Sequence, residues 1–89
     1  MTMNSRIRKS LDAKMSESLE SSDEIRQLAD SLRESGDSVL LGILVGRLYN
    51  SFYYQSRRVL KRDPTDAEFA EFADMIAENR QRFLEVLRV

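Results

Sequence analysis

The sequence predicts an all-α fold, a small helical bundle, and three observations carry that expectation. Ser21/Glu24 and Thr65/Glu68 have the spacing of capping boxes, Pro64 interrupts the chain once, and apolar residues recur at steps of three and four between these marks.

Residues 1–20 carry a single apolar stripe, Ile7, Leu11, Met15 and Leu19, interrupted by Ser5, Ser10, Ser16 and Ser18. A stripe one residue wide permits a helix without requiring one, so this segment is expected to be an arm or a marginal helix that forms only when docked. Arg6, Arg8, Lys9 and Lys14 against Asp12 make it basic up to Met15. It lacks the apolar core and cleavage site of a signal peptide.

Three main helices follow, and residues 21–89 are expected to form a single helical domain. The first covers about 22–35, with Ser21 and Glu24 as a capping box, Ile25, Leu28, Ala29 and Leu32 as its stripe, and Gly36 as the left-handed stop. The second covers about 38–62, starts at a cap on Asp37 or Ser38, and should be about 36 Å long at 1.5 Å per residue. A wheel places Leu41, Val45, Leu48, Phe52 and Val59 on one face and Gly42, Gly46, Tyr49, Tyr53 and Leu60 on a neighbouring one. Its start, Val39 to Val45, is apolar all round, more than short neighbours would cover, which predicts burial by a second subunit.

Pro64 ends the second helix, and Thr65 with Glu68 starts the third, about 66–88, on Phe69, Phe72, Ala73, Ile76, Phe83, Leu84 and Leu87. The short connection forces a long antiparallel hairpin between the second and third helices, with Phe69, Phe72 and Ile76 against the aromatic end of the second.

Composition narrows the function. The 89 residues include no cysteine and no histidine, which excludes disulfides, thiolate chemistry and cysteine-ligated zinc and removes the commonest general base. No catalytic-serine, phosphate-loop, dinucleotide or calcium motif is present, so the chain is expected to be non-enzymatic, without a cofactor, metal or small-molecule substrate. No apolar run approaches the length of a membrane span, and a soluble, cytoplasmic protein is expected. Asp63, Asp66, Glu68, Glu71, Asp74 and Glu78 recur at helical spacing, but Glu71, Asp74 and Glu78 fall opposite the phenylalanine stripe, as a solvated face would.

Two candidate surfaces remain, both on the second helix. Val39, Leu40, Gly42, Ile43 and Gly46 form a candidate oligomer interface: two glycines one turn apart let backbones approach, and each costs about 1 kcal/mol against alanine in a helix interior. The function expected first is therefore that of a protein–protein interaction module, a self-associating adaptor or small subunit of a larger assembly, with a homodimer ahead of higher oligomers. The alternative is nucleic-acid binding by Arg47, Tyr54, Arg57, Arg58 and Lys61, since segment 47–62 holds five cations and no acid. Those cations would instead be internal glue if Arg57, Arg58 and Lys61 pair with acids of the first and third helices.

Overall fold

A computed structural model describes residues 3–88, and the described residues form five helices: α1 (Ser5–Glu20), α2 (Ser22–Ser31), α3 (Asp37–Leu60), α4 (Asp66–Glu78) and α5 (Arg80–Leu87). The 24-residue α3 is the spine. α1 packs along it more extensively than any other helix does, α2 crosses between α3 and α5, and α4 with α5 returns antiparallel to α3 after the Pro64 break. Contacts between Met3 and Glu71 and between Ser16 and Arg82 show that α1 runs alongside α4 and α5 in the same direction.

The core row of α3 is Leu40, Leu44, Leu48, Phe52 and Ser56, a strict step of four. This corrects the phase expected for the helix: Leu41 and Val45 are half-buried on the flank, and Leu40 is inside. The apolar start of α3 gives the wheel no contrast, so only tertiary contacts fix which side turns inward. Phe52 and Phe72 sit at the aromatic end, ring centroids 4.5 Å apart and nearly parallel, with Phe69 edge-on to Tyr49 at 6.2 Å.

Residues 4–20 are a helix and its cap, not an arm. The Asn4 side chain accepts from the Arg6 and Ile7 amides at the N-terminus, and Ile7, Leu11, Met15, Ser18 and Leu19 are buried. The stripe suffices because α3 offers a matching ridge, so docking supplies what propensity does not. At the apolar start of α3, Val39, Leu41 and Ile43 are partly buried against the core of one chain.

Three local expectations are corrected. The Ser21 side chain caps nothing, because Ser21 is the single joint between α1 and α2 and its ψ of 24° lacks the extended geometry of an N-cap. Helix α2 stops at Ser31 rather than Ser35: Arg33 takes the left-handed conformation at φ 59°, and the Glu34 amide donates back to the Ala29 carbonyl at 3.1 Å. Gly36 is instead the extended N-cap of α3, at φ −70° and ψ 159°. The third helix is two, broken at Asn79, whose side-chain amide donates to the Met75 carbonyl at 2.8 Å and competes with helix continuation.

The box at Thr65 is complete. Its hydroxyl accepts from the Glu68 amide, the Glu68 carboxylate accepts from the Thr65 amide at 2.8 Å, and Arg62 donates to both carboxylate oxygens at 2.7 and 3.2 Å. Glu68 is buried, and the Arg62 guanidinium with the Thr65 amide holds its pKa down to about 2, below the ordinary 4.5. Its ionised form therefore adds stability above about pH 4.5 that fades as the pH falls towards 2. A Glu68→Gln variant should be less stable than the parent at neutral pH by about 1–3 kcal/mol, and urea melts should converge near pH 2. Equal gaps at both pH values would show that the charge contributes nothing.

Candidate functional site

The residues directly opposite the core row of α3 are Ser38, Gly42, Gly46, Asn50, Tyr54 and Arg58, again at steps of four, and all are exposed. The two surfaces expected from the sequence are thus successive halves of one winding row, glycines first and the basic-aromatic half after.

In the glycine half, a Cβ built at Gly42 or Gly46 meets nothing within 4 Å. Val39 and Ile43 flank the glycines half-buried, and Leu40 belongs to the core rather than to any interface. Helix α3 can therefore be apolar on this side and still show solvent little more than backbone. Among the described residues no neighbour lies within 4 Å to compensate for the glycines.

The basic-aromatic half forms a shallow groove along α3 that Lys14 of α1 borders at one end. One concavity of about 320 Å³ is bounded by Lys14, Arg47, Asn50, Ser51, Tyr54 and Gln55. A second, of about 510 Å³, shares Asn50 and Tyr54 and adds Arg57 and Arg58. Tyr54 stands at the junction with 62% of its surface exposed. The helical step of four that buries Phe52 and Ser56 turns Asn50, Tyr54 and Arg58 outward.

The cations are held unequally. Arg47 donates to Glu17 at 3.1 Å, and Lys14 reaches the same carboxylate at 3.3 Å. Arg57 pairs with Asp63 at 2.7 Å and lies over the Tyr53 ring, 5.3 Å from its centroid. The Asp63 carboxylate beside it raises the pKa of Arg57 further above its ordinary value, so the guanidinium stays charged. Lys61 donates to the Arg58 carbonyl at 3.0 Å, outside the groove. Among the described residues Arg58 has no ion-pair partner. Arg57, Arg58 and Lys61 therefore do not serve as glue to acids of α2 or α4. The cation that does so is Arg62, which lies beyond the end of α3 and pairs with Glu68.

Sequence reasoning left out two α1 residues, Lys14, which borders the groove, and Glu17, which pairs with Lys14 and Arg47 beside it. Their three-residue spacing was visible, but the contact of Glu17 with Arg47 spans thirty positions and needs the docked α1. Of the acids expected on a solvated face, Asp74 and Glu78 are exposed, whereas Glu71 is half-buried and accepts from the Met3 amide at 3.0 Å. No described helix is long and apolar enough to cross a membrane. No family model, curated protein or solved structure matches the chain.

Proposed function

We propose that the chain is a non-enzymatic helical binding module that takes an extended anionic partner on the basic-aromatic half of α3. One observation carries this: Lys14, Arg47, Arg57 and Arg58 border two adjoining concavities that share an exposed Tyr54, and among the described residues Arg58 has no carboxylate partner. Exposed ion pairs such as Arg47 with Glu17 stabilise a fold by at most about 1 kcal/mol, so an incoming anion replaces them at little cost. Fluorescence titration with heparin, inorganic polyphosphate and oligonucleotides at 50 mM salt tests the proposal. Saturable binding that weakens with salt supports it, and no binding to any of the three overturns it.

Self-association through Val39, Gly42, Ile43 and Gly46 is the second reading, favoured by the open space over both glycines. The test has opposite signs for the two cases. On a free helix face, Gly42→Ala and Gly46→Ala should each stabilise the chain by about 0.5–1 kcal/mol, which is several degrees in Tm for a domain of this size. Against a second copy the added methyl groups should instead weaken the dimer. Thermal melts together with sedimentation equilibrium separate the outcomes.

A further inference from the structure

Glu17 occupies a telling place at the head of the groove. Its carboxylate lies between Lys14 and Arg47, within 3.3 Å of the first, one turn earlier on the same helix, and 3.1 Å of the second, which reaches it from α3. A carboxylate held by two cations stands where a phosphodiester, with its single negative charge and two unesterified acceptor oxygens, would meet the same donors. Next along the groove come Asn50 and the open ring of Tyr54, then Arg57 and Arg58. Arg47 and Arg58 stand about 16 Å apart along the helix axis, counted at 1.5 Å per residue. Cations at both ends with one exposed aromatic ring between them fit a strand whose phosphates and base faces are both accessible. A duplex hides its base faces in the stack, and a simple polyanion has none, so neither would use Tyr54.

We infer that the groove along α3, bordered at one end by Lys14 of α1, binds a single-stranded nucleic acid, with a base stacked on Tyr54 and a phosphate displacing Glu17 from Lys14 and Arg47. This rests on the anion-binding proposal above and adds two commitments to it, the stacking ring and the internal carboxylate that the ligand must replace. Glu17 thus acts as a brake. Its side chain is 55% exposed, so the pairs it makes are screened and exchange readily.

The test uses the full chain, single-stranded oligonucleotides of about 12 nucleotides, a duplex of the same length and inorganic polyphosphate, at 50 mM salt. Tyr54→Ala should lower affinity for the single strand by roughly five- to a hundredfold and leave polyphosphate binding unchanged, while Tyr54→Phe keeps both. Glu17→Gln should raise affinity for single strand and polyphosphate alike by roughly five- to tenfold, because two cations are released and a like charge is removed. Both positions lie on the surface, and unchanged circular dichroism establishes that the variants fold. Equal binding of single strand, duplex and polyphosphate with an inert Tyr54→Ala overturns the single-strand assignment while anion binding stands. No change with Glu17→Gln overturns the displacement of the carboxylate. Absence of binding to every probe overturns the inference together with the proposal on which it rests.

Discussion

Phe52→Ala should lower the stability of the folded chain by about 3–5 kcal/mol, the cost of removing a fully buried aromatic ring and leaving a cavity. Phe52 is 1% exposed and stacks on Phe72, which joins α3 to α4, so its loss empties the contact that holds the aromatic end of the hairpin. At 0.05–0.15 kcal/mol per residue, a domain of this size has roughly 4–13 kcal/mol in all, so the loss is a large share of the total and at the lower end of that range leaves the variant partly or wholly unfolded. Urea denaturation followed by far-UV circular dichroism measures the difference. The matched control is Phe69→Ala. That ring is 42% exposed, and its removal should cost under about 1.5 kcal/mol. Similar losses at both positions would show that the Phe52–Phe72 stack is not the centre of the core.

The second large effect concerns salt. If the four cations of the groove each neutralise one phosphate of a single strand, the logarithm of affinity should fall with the logarithm of salt at a slope of about −3, a loss of about fiftyfold between 50 and 200 mM. The double variant Arg57→Gln/Arg58→Gln should reduce that slope by about 1.4 and weaken binding at 50 mM salt by roughly tenfold per cation. Arg62→Gln is the contrasting variant. Its guanidinium is committed to Glu68 outside the groove, so it should cost stability and leave the salt slope unchanged. A slope near zero for the parent chain would remove phosphate neutralisation as the source of affinity.

What the sequence made legible was local. Pro64 and the Thr65–Glu68 box involve neighbours within a few residues, and both stand where spacing puts them. The antiparallel return of the chain follows from that short connection. The phase of α3 was hidden because a run such as Val39 to Val45 is apolar in every direction, and what decides is which side meets the other helices. α1 itself was half-hidden for the reciprocal reason, since a one-residue stripe pays its way only against a partner surface. Gly36 misled because glycine serves both as a left-handed stop and as an extended cap, and here Arg33 takes the left-handed position. Arg47, Arg57 and Arg58 were readable as a cluster along α3, whereas Lys14 and the acid Glu17 that joins it to Arg47 belong to α1.

The step of four that orders α3 has a consequence for how many partners one chain can serve. Each such step advances about 40° around a helix of 3.6 residues per turn, so the direction of view from Gly42 to Arg58 rotates by roughly 160°. The two ends of the row look out from nearly opposite sides of the molecule. A partner seated on Gly42 approaches from a side that Arg58 does not face. Two copies joined back to back at Gly42 and Gly46 would carry a pair of outward grooves, and a strand long enough to reach both would be gripped at two points, with an avidity that neither groove has alone.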